Sequence, residues 1–309
     1  MQKVNQCLAC ESTNFRSFIK TLAQMHPSDQ IFNFDQCENC GLVFLNPRVP
    51  PEDLKNYYTD FYLPYRGANA WGKYRKQVES SQLKLDQKRY HLVNQHAKLS
   101  NKSVLLDIGC GKPDFLQKCY DQSACQGIGI DFSDEGWKNQ AQSYQNLDLK
   151  VAEVKDLDAD LKVDAITMWH YLEHDYTPIE NLKRLKKHTH SNTKLIIEVP
   201  NFDSSSRKKY GSHWAGYHTP RHTALYTPDT ITTLLENSGW QAKVINSYGT
   251  LDPYVLTWMS KMEQKGIQWN KNMEEEFFGY VAGMISFLPQ SLFQKSKSLG
   301  IMTVVAQPV

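Results

Sequence analysis

The feature that most constrains the fold is an apolar run that ends in an acid, followed by a glycine turn and a second run of the same kind. The first run and the turn read VLLDIGCGKPDF at residues 104–115, and the second run reads QGIGIDFS at residues 126–133. The second run reaches Asp131, twenty positions after Gly111. This order predicts a strand, a ligand-binding turn, a helix and a second strand, which begin a doubly wound α/β sheet.

The turn and the two acids are residue types that suit a nucleoside ligand. Gly109 and Gly111 let the backbone come close to a ligand, and a carboxylate at Asp131 can accept hydrogen bonds from both hydroxyls of a ribose. Asp107 precedes the turn and no Lys-Ser or Lys-Thr pair follows it, which argues against a phosphate-binding loop. The two glycines alone would also fit a plain turn. The joint pattern favours a nucleoside without phosphates.

Further candidate site residues follow the fourth predicted strand. Strands are predicted at residues 103–108, 126–131, 148–152, 163–168, 194–199 and 242–247, with helical segments between most of them. Ligands of such sheets bind outside the carboxyl ends of the strands. His170, Glu173 and His174 are spaced i, i+3 and i+4, so a helical turn would place them on one face. A general base, a divalent-metal site and ordinary helix capping all remain open interpretations.

The N-terminal segment contains two Cys-x-x-Cys pairs. They consist of Cys7, Cys10, Cys37 and Cys40. This spacing predicts two knuckles that aim four thiolates at one tetrahedral zinc ion, and Gly41 suits the turn after the second pair. Disulfides and unrelated free thiols are the alternatives. The basic residues before Cys37 are only Lys3, Arg16 and Lys20. The predicted ribbon is therefore structural or covers the substrate, and it is not expected to bind nucleic acid.

Composition restricts the partners that the chain can have. Thirty-five basic and 33 acidic side chains give a net charge of +2, which offers no electrostatic argument for nucleic acid or lipid headgroups. The opening MQKVNQCLAC lacks the apolar core of a signal peptide, so we expect a cytoplasmic protein. Residues 277–293 are apolar but contain Pro289 and fall short of the roughly 20 residues of a membrane span. They suit peripheral membrane contact or a cover over an apolar substrate.

Taken in order, these motifs resemble those of class I S-adenosylmethionine-dependent methyltransferases. The motifs are Asp107, Gly109 and Gly111, then Asp131, then DAITMWHYLEH at 164–174 and KLIIEVPN at 194–201. The likeness spans roughly residues 100–245. It implies a Rossmann-like seven-stranded sheet whose antiparallel final strand is the run at 301–307. Pro113 stands where the family usually has a third glycine.

The resemblance also implies roles for individual residues. Asp107 and the Gly109 to Gly111 loop would hold the methionine end of S-adenosylmethionine, and Asp131 its ribose. The implied cofactor-binding set is Asp107, Gly109, Cys110, Gly111, Asp131, Phe132, Glu153 and Trp169. The implied catalytic set is His170, Glu173, His174 and His222, with His174 and His222 as base candidates. Cys110 has an alternative interpretation as a nucleophile and a plainer one as a buried thiol.

Two subsets of the family share further features with this chain. Residues 41–62 resemble methyltransferases with an N-terminal zinc ribbon, including sugar methyltransferases, in which this segment helps to cover the active site. Quinone O-methyltransferases bind a divalent cation at Glu-x-x-Glu-His, and here His170 replaces the first Glu, which implies a possible cation site at His170, Glu173 and His174. The ribbon enzymes also show a Pro-Arg-His run like the one ending at His222. Its Arg221 would bind a substrate anion or pair with Glu173.

These patterns together predict a zinc-ribbon methyltransferase of the α/β class. The predicted organisation is a ribbon at 1–46, a helical linker and lid at 47–98, a core at 99–249 and 300–309, and a helical insertion at 250–299. The predicted activity is methyl transfer from S-adenosylmethionine to a small-molecule acceptor, first to oxygen and second to carbon, on a sugar, a phenol or a lipid-linked intermediate. The alternative is a non-catalytic binding protein with the same fold and a ribbon used for protein contact.

Overall fold

Two β-sheets organise the computed structural model, which describes residues 1–293 and 298–309. The strands are β1 (Phe15–Leu22), β2 (Ile31–Cys37), β3 (Val43–Leu45), β4 (Val104–Ile108), β5 (Gln126–Asp131), β6 (Leu147–Val151), β7 (Val163–Trp169), β8 (Thr189–Pro200), β9 (Ala224–Leu225), β10 (Trp240–Asn246) and β11 (Ile301–Pro308). The α-helices are α1 (Pro51–Leu54), α2 (Leu63–Arg66), α3 (Arg75–Ala97), α4 (Asp114–Ser123), α5 (Pro178–Lys186), α6 (Ser205–Tyr210), α7 (Pro228–Asn237), α8 (Pro253–Gln264) and α9 (Phe277–Ser291).

The larger sheet has seven strands in the order β10-β11-β8-β7-β4-β5-β6. Strands β4 to β8 pair in parallel, and β11 runs antiparallel to both β8 and β10. β4, β7 and the second half of β8 are largely buried and apolar, because helices cover both faces of a parallel sheet, whereas the first residues of β8 are polar and exposed. This arrangement confirms the predicted fold class, including the antiparallel final strand.

The smaller sheet has the order β1-β2-β3-β9 and combines distant parts of the chain. Its first three strands belong to the predicted ribbon, whereas β9 follows the Pro-Arg-His run. Val4, Leu42 and Phe44 of the ribbon pack in one apolar cluster with residues of β4 and β8. The ribbon is thus packed against the larger sheet and shares its hydrophobic interior.

The segments on either side of the core are helical. In the predicted linker at 47–98, a 3₁₀ segment occupies Gly67–Tyr74 and α3 begins at Arg75. The predicted insertion at 250–299 contains α8 and α9, and its residues 294–297 lie outside the described residues. Within the described part of the chain, no helix has the length and apolar character to cross a membrane.

Candidate functional site

The glycine turn joins the carboxyl end of β4 to α4. Gly109 and Gly111 have φ values of 70° and 48°, in the region that favours glycine. The Gly109 N–H donates a 2.8 Å bond to the carbonyl of Ile130. The Gly111 N–H donates a 2.9 Å bond to Oδ2 of Asp131. The loop and the acid at the end of β5 therefore hold each other in place.

The two acids end neighbouring strands and are held by defined donors. Asp107 is 3% exposed and its Oδ1 accepts a 2.6 Å bond from the hydroxyl of Thr167. Burial raises the pKa of Asp107 to about 7. Asp131 Oδ1 accepts a 3.2 Å bond from the N–H of Ser133, and burial raises its pKa too. Two carboxyls beside a glycine cradle fit the methionine and ribose ends of S-adenosylmethionine.

Pro113 fits the turn without disturbing the helix that follows. It immediately precedes α4 with a φ of −81°, and its carbonyl accepts a 3.0 Å bond from the N–H of Gln117. The first N–H groups of a helix have no partner inside it, so a proline here removes no helical hydrogen bond. The departure from the family's third glycine is thus accommodated locally.

Phe132 and Glu153 lie beside Asp131 at the edge of the site. Phe132 is 72% exposed and its ring centroid lies 5.8 Å from that of Tyr58. Glu153 is also exposed, and the preceding Ala152 donates its N–H to the carbonyl of Asp131 at 3.0 Å. Both side chains can therefore flank a base attached to a ribose held by Asp131.

Cys110, inside the loop, and Trp169, at the end of β7, are both buried. Cys110 is 8% exposed, and burial raises the pKa of its thiol, so the nucleophile interpretation has no support. The Trp169 ring packs edge-on against Phe115 at 5.3 Å and lies under the guanidinium of Arg89 at 4.9 Å. Their predicted cofactor contacts remain predictions.

We expect Gly109→Ala to weaken S-adenosylmethionine binding at least tenfold more than Gly111→Ala. Alanine at either positive φ costs about 1–2 kcal/mol. A Cβ at Gly109 would also lie 2.5 Å from Cδ2 of Tyr171, whereas a Cβ at Gly111 meets nothing within 4 Å. Calorimetric titration of both variants measures the difference, and equal affinities would contradict the close approach of Tyr171 to the loop.

The residues after β7 do not form the helical turn that their spacing suggested. His170 has a left-handed φ of 55°, and only Leu172–His174 forms a 3₁₀ turn. Nδ1 of His170 lies 3.4 Å from Glu173 Oε1, and its Nε2 lies 3.3 Å from Glu198 Oε1. Burial lowers the pKa of His170, but the two carboxylates outweigh it and raise the pKa to about 9.

Glu198 is a site residue that the sequence analysis missed. It is fully buried in β8, and its carboxylate accepts hydrogen bonds from the Thr250 hydroxyl at 2.9 Å and from the Leu251 N–H at 3.2 Å. Burial raises its pKa, but the contact with His170 outweighs burial and holds the pKa at about 2. An acid inside the apolar run LIIEVP was the available signal, because buried charges need partners.

A second histidine group packs against the first. The ring of His222 lies 4.6 Å from that of His174 and 4.7 Å from that of His218. Burial lowers the pKa of all three imidazoles, well below the usual value for His218 and His222. His218 has a φ of 39°, and neither ring nitrogen has a hydrogen-bond partner among the described residues. His218 was not among the predicted catalytic residues.

Arg221 holds the lid and does not face a substrate. It is 0% exposed, and its guanidinium donates 2.6 Å bonds to the carbonyls of Tyr57 and Gln24. The same group lies 4.2 Å from the ring centre of Tyr62. Arg221 thus does not pair with Glu173, and backbone carbonyls engage both terminal nitrogens of the guanidinium, while its Nε has no hydrogen-bond partner among the described residues. This differs from both interpretations of the sequence.

The tyrosines of the lid connect the two halves of the site. Tyr58 contacts Tyr62, with ring centroids 5.2 Å apart, and also reaches Phe132 beside the cofactor loop. Tyr62 contacts His218, with ring centroids 5.6 Å apart. One short segment therefore contacts both Phe132, beside the glycine turn, and His218, in the second histidine group.

The four ribbon cysteines form one cluster. Sγ of Cys7 lies 3.5 Å from that of Cys40, Sγ of Cys10 lies 3.6 Å from that of Cys37, and all four sulfurs lie within 4.8 Å of one another. These separations exclude disulfides and are close to the roughly 3.8 Å between thiolates on a tetrahedral zinc ion. Gly41 has the expected positive φ of 83°. The cluster fits the predicted zinc ribbon.

Comparison with known proteins assigns the family. A family model described as "Methyltransferase domain" matches residues 78–243, more than half of the chain. The chain belongs to this methyltransferase family. The predicted enzyme class, a methyltransferase that depends on S-adenosylmethionine, is thereby confirmed. No curated protein matches the sequence of this methyltransferase.

Solved structures share the fold of this methyltransferase at low identity. The 1,6-didemethyltoxoflavin-N1-methyltransferase of Burkholderia thailandensis, solved with its substrate and S-adenosylhomocysteine, is 11% identical with a TM-score of 0.51, covering 92% of this chain and 98% of its own. A mycolic acid cyclopropane synthase complexed with SAH and CTAB is 12% identical with a TM-score of 0.50, covering 75% of this chain and 85% of its own. At such identities the likeness establishes the fold alone.

Proposed function

We propose that this methyltransferase methylates a hydroxyl oxygen of a small acceptor, either a sugar, a phenol or a lipid-linked intermediate. Asp107 and the loop from Gly109 to Gly111 hold the methionine end of the donor, and Asp131 binds its ribose. When bound, S-adenosylmethionine supplies a methyl group on a sulfonium centre that an oxygen can displace in line. The protein contributes chiefly by placing the two reactants next to each other.

The observation that carries the choice of a hydroxyl acceptor is the unpartnered imidazole of His218. A buried polar group normally has a hydrogen-bond partner, so a histidine without one is a natural contact for a ligand. His218 contacts Tyr62 of the lid and His222, whereas Phe132 contacts Tyr58 of the same segment. It accepts the hydrogen bond of the acceptor hydroxyl and takes its proton as the new bond forms.

The exposed apolar side chains of α9 support the lipid-linked member of the acceptor class. Phe278, Ile285 and Leu288 are each more than half exposed on this helix. They give the insertion an apolar outer face that suits a membrane surface or an acyl chain. Carbon remains the second acceptor atom, because the same imidazole can take a proton from an activated carbon.

We expect Asp131→Ala to lower the affinity for S-adenosylmethionine at least a hundredfold. A carboxylate that accepts two ribose hydroxyls contributes about 1.5–3 kcal/mol for each hydrogen bond. Calorimetric titration measures this loss, and Asp148→Ala on the neighbouring strand β6 is the control, because that acid is exposed and pairs with Lys150. Unchanged affinity in Asp131→Ala would place the donor elsewhere.

The proposed contact between His218 and the acceptor hydroxyl is tested by a second measurement, the rate of methyl transfer. His218→Gln should keep the donor affinity of the wild type and lower the rate of methyl transfer by about 10²–10⁴-fold across a panel of hydroxyl acceptors. Labelled S-adenosylmethionine reports transfer to each acceptor. A His218→Gln variant as fast as the wild type would rule out this histidine as the contact of the hydroxyl.

A further inference from the structure

Three side chains from two separate loops converge next to the acceptor side of the site. Glu173, His174 and His222 each offer a ligand atom, and these atoms all lie within 4.8 Å of one another. Glu173 is 1% exposed, and neither of its carboxylate oxygens has a hydrogen-bond partner among the described residues. The ring of His170 approaches one of them, with Nδ1 3.4 Å from Oε1. A buried carboxylate in this condition is costly unless a cation completes its surroundings.

The backbone fixes which nitrogen of each imidazole carries its lone pair. Nδ1 of His174 lies 3.0 Å from the carbonyl oxygen of Arg221, and Nδ1 of His222 lies 2.8 Å from that of Gly216. A carbonyl can only accept, so each Nδ1 bears the hydrogen and each Nε2 bears the lone pair. Nε2 of His222 lies 3.9 Å from Oε1 of Glu173. The two Nε2 lone pairs and the Glu173 carboxylate therefore lie in one cluster, which Nδ1 of His170 approaches at Oε1 of Glu173, 3.4 Å away.

The two loops are also tied together at this point. The N–H of Thr223 donates a 2.7 Å bond to the carbonyl of Glu173. Histidines that bind metals usually donate their second ring N–H to a carbonyl or carboxylate, which orients the ring. The rings of His174 and His222 are already oriented in this way by the carbonyls of Arg221 and Gly216.

We propose that Glu173, His174 and His222 bind a divalent first-row transition-metal ion. Two imidazoles and one carboxylate suit Zn²⁺ or Fe²⁺ and leave further coordination positions open. His170 is not a ligand, because its two ring nitrogens face Glu173 and Glu198. The site therefore replaces His170 of the sequence-based prediction with His222.

The guanidinium of Arg221 does not compete with the proposed ion for the carboxylate of Glu173. The guanidinium of Arg221 is engaged with Tyr57, Gln24 and Tyr62, and only its backbone carbonyl faces His174. The ion adds to the proposed function by lying close to His218, where it can polarise an acceptor hydroxyl. This polarising role of the ion rests on the proposed function. Binding of the ion to Glu173, His174 and His222 does not depend on methyl transfer.

The test is a titration of the full-length, zinc-loaded protein with Co²⁺. We expect one Co²⁺ per chain beyond the zinc of the ribbon, with visible bands that lack the thiolate charge-transfer absorption of a Cys₄ site. His222→Gln should bind this Co²⁺ at least a hundredfold more weakly. His188→Gln is the matched control, because His188 is equally buried and its Nδ1 lies 3.2 Å from the carbonyl of Leu161, outside the cluster.

Glu173→Gln provides a second variant if His222→Gln does not fold, and it should lose the Co²⁺ in the same way. Elemental analysis that finds only the ribbon zinc after Co²⁺ exposure would overturn the proposal, as would equal Co²⁺ affinity in His222→Gln and the wild type. Calorimetry with S-adenosylmethionine on the same samples separates the two proposals. If the protein binds S-adenosylmethionine but no additional Co²⁺, only the metal proposal is wrong. If it binds Co²⁺ but not S-adenosylmethionine, only the proposed function is wrong.

Discussion

Replacing Cys37 by serine is expected to release the ribbon zinc and to destabilise the whole protein by at least about 3 kcal/mol. Structural zinc sites bind with apparent free energies of about 10–16 kcal/mol, and that energy is available only to the folded state. Cys37 is 1% exposed and ends β2, the strand at the centre of the smaller sheet, so its loss disrupts both the metal site and the packing of Leu42 and Phe44.

The zinc content and the midpoint of thermal unfolding measure this effect. Cys125→Ser is the matched control, because Cys125 is also a fully buried thiol but lies outside the ribbon. The control should keep its zinc and lose only about 1 kcal/mol, the cost of a buried hydroxyl in place of a thiol. If both variants unfold alike with the zinc retained, the four cysteines do not form the site described.

Loss of the zinc should also disturb the structure of the histidine cluster, where the acceptor is proposed to bind, more than that of the glycine turn, where the methyl donor is proposed to bind. The ribbon binds the Pro-Arg-His loop through Leu45 N–H to the carbonyl of Thr223 at 2.9 Å and Gln24 N–H to the carbonyl of Thr219 at 2.8 Å. The glycine turn instead donates its hydrogen bonds to β5. The ribbon supports the histidine cluster through these backbone contacts, so we expect loss of its zinc to be felt there first.

Arg221→Met is expected to lower the free energy of unfolding by about 3 kcal/mol or more. The substitution keeps most of the side-chain volume but removes two charge-assisted hydrogen bonds, each contributing about 1.5–3 kcal/mol, and leaves the carbonyls of Tyr57 and Gln24 buried without donors. Because these carbonyls belong to the lid and the ribbon, both segments should loosen together. Denaturant titration at fixed zinc concentration measures the change.

Arg184→Met is the matched control for Arg221→Met. Arg184 is 43% exposed and pairs with Glu180 at 2.6 Å on the surface of α5. Such exposed pairs contribute at most about 1 kcal/mol, so the control should remain close to the wild type. Equal effects in the two variants would mean that the buried guanidinium does not tie the lid to the ribbon.

The strands of the larger sheet could be predicted from the sequence because local sequence signals determine where each strand begins and ends. β5 occupies the predicted residues 126–131, where an apolar run is bounded by Gln126 and Asp131. Turn residues and a change from apolar to polar character stop these strands without help from the rest of the fold. The same holds for the Cys-x-x-Cys knuckles, whose geometry depends only on near neighbours.

The histidine cluster could not be predicted from the sequence because it joins residues that are far apart along the chain. The spacing of His170, Glu173 and His174 suggested one helical face, but a left-handed residue at His170 ends that regularity. His222 lies 49 positions beyond Glu173 and reaches it only because Thr223 binds the Glu173 carbonyl and β9 joins the ribbon sheet. No local pattern in a single sequence encodes such a contact.

The position of β11 has a consequence for how the chain is made. β10 and β8 do not pair directly, because β11 lies between them and bonds to both. On the ribosome, a nascent chain that has emerged through β10 has two strand edges facing a gap, and more than fifty further residues must be translated before the missing strand arrives. Until then the growing polypeptide needs protection from aggregation, and chaperones that bind exposed strand edges should engage it during that interval.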